Sequence, residues 1–278
     1  MKLGCQARSF GEGIYPDEAT FLAVVRQIGE LGFEGLEANW KNMELYLDQP
    51  AEFSRILSGF GVALTGAHYG NALWDPARRE EVSTDLRRLA RFVATAGGSF
   101  VVCSSGRPEG DSVSSDTVRR MAEHLNDYGS ICDRLGATLA YHNHSWEARD
   151  GVLEGLAEHT DPRHVAFTFD TGNYIQGGAD PISALRSLGE RIAIVHLTDY
   201  GKGERAALGQ GELDLDQVEK ALRQMGYDAW VMLEEKTKPA NPYRHATRCL
   251  DILRRISDSA GSSAEDPDEG TLAGNRSR

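Results

Sequence analysis

Thr138–Glu147 reads TLAYHNHSWE, a short apolar run, Thr138 to Tyr141, that opens abruptly into His142, Asn143, His144 and Glu147. A buried strand delivering metal-capable side chains to its own C-terminal end has this appearance. Three later stretches repeat it: VAFTFD ends at Asp170, IAIVH at His196 and WVMLE at Glu234, with spacings of 28, 26 and 38 residues from His142 onward. One strand, one helix and two loops take roughly 30 residues. The four ligand types therefore fall on successive βα units, at one end of a parallel sheet.

Working outward, the same alternation begins at the first residues. Strands are expected at Lys2–Ala7, Phe33–Ala38, Val62–Ala67 (with His68 at its exit), Ser99–Cys103, Thr138–Tyr141, His164–Asp170, Arg191–Leu197 and Ala229–Glu234. Between them, helical apolar periodicity covers Asp17–Leu31, Pro50–Gly59, Asp75–Ala96, Thr117–Leu135, Leu153–His159, Pro181–Leu188, Leu215–Met225 and Arg244–Ile256. Eight strands alternating with eight helices predict an α/β fold, a (β/α)8 TIM barrel formed by one domain over residues 1–256. A doubly wound sheet would need a glycine-rich dinucleotide turn after the first strand, and GCQARSFGEG lacks G-x-G-x-x-G. From Ser257 to Arg278 the sequence holds almost nothing to bury, which predicts a disordered acidic tail.

Composition narrows the partners. The chain of 278 residues carries a formal charge of −12, of which the tail accounts for −3, so residues 1–256 are acidic at −9. Such a surface repels phosphate backbones, and no nucleic-acid partner is expected. The N-terminus has no apolar signal core and no run is long enough for a membrane span, so a soluble cytoplasmic protein is the expectation. Cys5, Cys103, Cys132 and Cys249 show no CxxC spacing and read as reduced, buried thiols. The oligomeric state, a homo-oligomer included, is left open.

The ordered set YHNHSWE, FDTGN, VHLTD, GQGELD and GYDAWVMLEE resembles the xylose-isomerase-like TIM barrels, the sugar phosphate isomerase/epimerase superfamily that also includes inosose dehydratases and endonuclease IV. The resemblance spans residues 1–256. It implies a divalent metal at the C-terminal mouth, held by His142, Asp170, His196 and Glu234, with Mn2+ first and Co2+, Mg2+ or Zn2+ as alternatives. Many epimerases of the superfamily have a glutamate in place of His142 and a histidine in place of Asn173. A symmetric epimerisation between two metal-bound glutamates therefore does not transfer to this chain. Endonuclease-type hydrolysis would want more histidines and a basic groove, and a barrel that only binds sugar would fail a metal assay.

Two imidazoles with two carboxylates suit Mn2+, Zn2+, Co2+ or Fe2+ better than Ca2+. His144 shares the strand face of His142 by period two and competes with it as the strand-five ligand. Expected catalytic groups are Glu234 as base, with Glu147, His68 and His144 as partners for a second proton transfer. Glu37 joins the strand-end set, and Trp40, Tyr69, Trp74 and Trp146 are placed to wall a sugar pocket. Lys202, Lys236 and Lys238 follow strands seven and eight, where barrels often hold phosphate. The predicted activity is isomerisation or epimerisation of a small sugar, sugar phosphate or keto-sugar by proton abstraction beside a carbonyl. A dehydratase of inosose-dehydratase type, acting on a cyclitol or keto-sugar, is the alternative.

Overall fold

A computed structural model describes residues 1–261 apart from Asp111. Its elements run in chain order β1 Lys2–Gln6, α1 Glu18–Leu31, β2 Gly35–Asn39, α2 Pro50–Gly59, β3 Ala63–Asn71, α3 Arg79–Thr95, β4 Phe100–Ser105, α4 Ser115–Asp133, β5 Thr138–His142, α5 Val152–His159, β6 Val165–Asp170, α6 Thr171–Gln176, α7 Pro181–Leu188, β7 Ile192–Leu197, β8 Asp199–Gly201, β9 Glu204–Ala206, α8 Leu215–Gln224, β10 Trp230–Leu233 and α9 Pro242–Gly261. Strands β1–β7 and β10 close into a parallel barrel in the order β1-β10-β7-β6-β5-β4-β3-β2. This is the (β/α)8 architecture that the alternation predicts.

Local signals set the helices. In α1, Asp17 accepts the Thr20 amide at 2.7 Å and Gly32, at φ 92°, closes the other end in the left-handed region that suits glycine. Between those caps Phe21, Val24, Val25 and Ile28 recur at helical spacing and are buried against the barrel. There Phe53 stacks near Phe21 and tilts onto Phe92, with ring centroids 6.4 and 5.6 Å apart.

Inside the barrel the packing is asymmetric. Val102, Ile194 and Met232, from β4, β7 and β10, form their own apolar cluster. Gly4 of β1 makes room for it, since a Cβ there would lie 2.1 Å from Met232 Sδ. Period two then places Gln6, Glu37, His68, Ser104, His142, Asp170, His196 and Glu234 on the same inward face, nearer the C-terminal mouth.

Several boundaries differ from the sequence reading. Strand β3 continues through Tyr69, Gly70 and Asn71, which pair with Cys103, Ser104 and Ser105, so His68 lies within a strand rather than at its exit. Helix α6 and the β8–β9 hairpin are too short to show periodicity and were not expected. The boundary expected at Ile256 falls inside α9, which continues to Gly261. The rest of the expected tail lies outside the described residues. All four cysteines are free and buried, as expected. Among the described residues no helix is long and apolar enough to cross a membrane.

Met232→Ala would leave a hole in the interior beneath the mouth, where Gly4 offers no side chain to fill it. The expected cost is about 2–5 kcal/mol of unfolding free energy, read from urea denaturation. A loss below about 1 kcal/mol would mean that the interior collapses to fill the space.

Candidate metal centre

Four residues at the C-terminal ends of β5, β6, β7 and β10 converge. His142, Asp170, His196 and Glu234 each offer a ligand atom within 4.8 Å of the others, and all four are buried. His142 Nε2 lies 3.6 Å from Asp170 Oδ2 and 3.4 Å from Glu234 Oε2. His196 Nδ1 lies 3.0 Å from the same Glu234 oxygen. His144 is not in this group. Strand β5 ends at His142, and the His144 ring stands 5.4 Å from that of His142, on the cavity side.

Each ligand is oriented by neighbours. Asp170 caps α6: its Oδ1 accepts the Asn173 amide at 2.7 Å and the Thr198 hydroxyl, which leaves Oδ2 for a cation. Asn143 fastens β5 to β6 by accepting the Asp170 amide at 2.8 Å and donating to its carbonyl at 3.2 Å. Asn173 donates to the Asn143 carbonyl and accepts from Arg205, so the residue that departs from the superfamily histidine is a brace.

Glu37 has a larger place than the sequence suggested. It is fully buried, with Oε2 2.9 Å from His196 Nε2 and Oε1 3.1 Å from His68 Nδ1. Burial works against its charge, yet His196 and His68 outweigh that and bring its carboxyl down to about 2. Burial likewise opposes a charged His196, but Glu37 and Glu234 lift it to about 10. With Nε2–H given to Glu37, His196 presents Nδ1 to the centre, the carboxylate-supported arrangement usual for metal-bound histidines. The donor set fits a divalent transition metal: two imidazoles and two carboxylates converge at one buried point.

A cavity of about 300 Å³ opens over the centre, bordered by Arg8, His68, Ser104, His144, Arg205 and Lys236 among others. Arg205 comes from the unexpected hairpin. Asp199 anchors it, its carboxylate accepting the amides of Gly209, Gly211 and Leu213 at 2.9–3.0 Å; a Cβ on Gly211 would lie 2.2 Å from Asp199 Oδ1. A larger cavity of about 440 Å³ near the N-terminal strand ends is lined by Glu34, Leu57 and Leu64 and gathers no such cluster.

Other expectations need correction. Glu147 does not border the cavity: its oxygens accept the Tyr141 hydroxyl at 2.6 Å and the His144 amide at 2.8 Å, so it props the β5 turn from behind. Of the expected aromatic wall none borders this cavity, and only Trp146 lines the adjoining one of about 370 Å³, which shares Gly70, Ser104 and His144 with it. Tyr69 faces outward and donates to Asp85 at 2.8 Å, Trp40 packs on Tyr69, and the indoles of Trp74 and Trp146 donate to the carbonyls of Gly106 and Ser105. Of the three lysines, Lys238 pairs with exposed Glu12, Lys202 is an exposed turn residue, and Lys236 enters the centre with Nζ 2.6 Å from Asp170 and 3.0 Å from Glu234.

Two outcomes follow from these contacts. Glu37→Gln should weaken Mn2+ binding roughly 10–100-fold in a competition titration, the usual worth of a carboxylate behind a metal-bound histidine. Unchanged affinity would detach Glu37 from the centre. Burial pushes the Glu147 carboxyl up to about 8 from 4.5. The folded state thus keeps a proton that the unfolded chain gives up, and the stability present below pH 4.5 is lost as pH rises towards 8. In Glu147→Gln the amide can donate to the Tyr141 oxygen and accept from His144. Between pH 5 and 8 the wild-type melting temperature should fall by several degrees relative to this variant, about 2–4 °C per kcal/mol. Parallel calorimetric profiles would show that Glu147 is ionised in the fold.

Comparison with known proteins agrees with this fold. An inosose dehydratase from Geobacillus kaustophilus (strain HTA426) is 25% identical over 276 residues, covering 86% of this chain and 88% of that protein. One from Clostridium botulinum (strain Alaska E43 / Type E3) is 28% identical, covering 83% and 88%. Among solved structures, the probable 3-DHS dehydratase AsbF from Bacillus anthracis superposes with a TM-score of 0.76 at 15% identity, over 91% of this chain and 99% of that one. The IOLI protein with a bound zinc atom superposes with a TM-score of 0.73 at 16% identity, over 96% and 100%. These last two likenesses concern the fold. The sequence model of the xylose isomerase-like TIM barrel family matches residues 25–253, and the chain belongs to that family.

Proposed function

We propose that the protein is a divalent-metal-dependent lyase that removes water from a keto-cyclitol or keto-sugar. The observation that carries this reading is His142: with an imidazole at the end of β5, the four-residue centre contains one glutamate, Glu234, and no opposed glutamate pair. The inosose dehydratases among the relatives support the same choice. Epimerisation or isomerisation, placed first by the sequence reading, becomes the second reading, and structural neighbours such as a D-psicose 3-epimerase keep it in view.

His142, Asp170, His196 and Glu234 would hold a divalent ion, which would supply Lewis acidity to acidify the C–H beside a substrate carbonyl. Glu234 suits the task of base poorly. Burial would raise its carboxyl, but Lys236, His142 and His196 hold it well below the usual range. The base is assigned instead to His68. Ionised Glu37 takes His68 Nδ1–H, which leaves Nε2 as the acceptor on the cavity wall, 3.1 Å from Ser104 Oγ. Nε2 removes the α-proton; the imidazolium, steadied by Glu37, then gives that proton to the departing β-hydroxyl, so that water leaves and a carbon–carbon double bond forms. Burial, with His142 and His68 nearby, depresses His144 to about 3, so it stays neutral and can hold a substrate hydroxyl. Arg205, braced by Asn173 and Gln176, offers a guanidinium to another substrate oxygen.

The test is turnover by Mn2+- or Co2+-loaded protein on a panel of inososes and keto-sugars in D2O, followed by mass spectrometry. A product lighter by one water is expected. His68→Gln should lower its rate by roughly 10²- to 10⁴-fold with metal content unchanged. Deuterated product of unchanged oxygen content would favour epimerisation, and no metal-dependent turnover on any substrate would remove both readings.

A further inference from the structure

Lys236 lies two residues beyond Glu234, and its side chain is 7% exposed. Its Nζ is 2.6 Å from Asp170 Oδ2 and 3.0 Å from Glu234 Oε2. These are the same two oxygens that His142 Nε2 approaches. Asp170 has no other oxygen to give, because Oδ1 is committed to the Asn173 amide and the Thr198 hydroxyl. A transition-metal ion binds a carboxylate oxygen at about 2.0–2.2 Å. An ion at that distance from Oδ2 and Oε2 and an ammonium at hydrogen-bond distance from both would be close cations in a buried site, where repulsion is less screened than in bulk water.

We propose that Lys236 is a built-in competitor for the metal: its ammonium neutralises the Asp170–Glu234 pair, sets the affinity of the centre, and is driven towards the cavity when a divalent ion binds. This rests on the four-residue centre of the proposed function but not on the reaction. The route outwards is short, since the lysine itself lines the cavity. Two buried carboxylates need a cation, and the chain carries one that a metal can replace. A lysine that merely braced the centre would have the opposite signature, because losing a brace weakens binding.

The experiment is Mn2+ titration of the metal-stripped full-length chain, read by electron paramagnetic resonance, for wild type, Lys236→Met and Lys236→Arg. The dissociation constant should fall at least about ten-fold in Lys236→Met and stay near the wild-type value in Lys236→Arg, which keeps the positive charge. Equal or weaker binding by folded Lys236→Met overturns the proposal. Should that variant fail to fold, labelling of wild type with an amine-reactive ester, mapped by peptide mass spectrometry, decides. Modification of Lys236 should rise when Mn2+ is added, and equal modification overturns the proposal. Mn2+ binding by Lys236→Met but not by wild type would support it strongly. Binding by neither overturns both this inference and the metal centre.

Discussion

Three carboxylates, Glu37, Asp170 and Glu234, are buried within the mouth of the barrel, and a buried charge persists only when an opposite charge faces it. The fold meets this constraint with a row that alternates basic side chains and carboxylates: His68, Glu37, His196, Glu234, Lys236, Asp170. Consecutive members are 3.1, 2.9, 3.0, 3.0 and 2.6 Å apart. The row crosses the mouth from β3 through β2, β7 and β10 to β6, joining strands that are distant in the closed sheet. It also decides the chemistry of its members. Glu37 can only accept, so both of its histidines donate to it, and the faces they turn elsewhere become defined.

A second pair supports the end of that row. Glu235, on the opposite parity from Glu234, points away from the barrel interior and meets His245 of α9, whose Nε2 also lies 3.3 Å from Cys249 Sγ. Its Oε1 accepts the amides of Lys236 and Thr237 at 2.8 and 2.7 Å, which shapes the turn from which Lys236 reaches back into the centre. The last helix is thus tied to the last ligand through one side chain.

The four candidate ligands were legible because each ends an apolar run and shares parity with the layer beneath it, a pattern that local sequence carries by itself. The choice between His142 and His144 was not legible, since period two treats them alike; it depends on β5 ending at His142. The partnership of Glu37 with His196 spans 159 residues and arises only on barrel closure. Arg205 was missed because strands of three residues carry no periodicity, although the GQGELD loop that anchors its hairpin was noticed as a motif. Glu147 was misplaced because loop sequence does not say which way a turn folds. Tyr69 was misplaced for a related reason. Tyr69 alternates with His68, so the continuation of β3 sends its ring to the helix layer.

The closed sheet divides its labour by arc. The candidate ligands stand on β5, β6, β7 and β10, while β1 to β4 contribute Gln6, Asn39, His68, Gly70 and Ser104 to the cavity wall. Of the two glutamates in the charged row, only Glu37 stands on the second arc. Substitutions at Gln6, Asn39 or Gly70 can therefore reshape what the cavity admits without disturbing the residues that gather charge. Such a layout lets a lineage explore new molecules through one half of the barrel while the other half keeps a fixed inorganic chemistry.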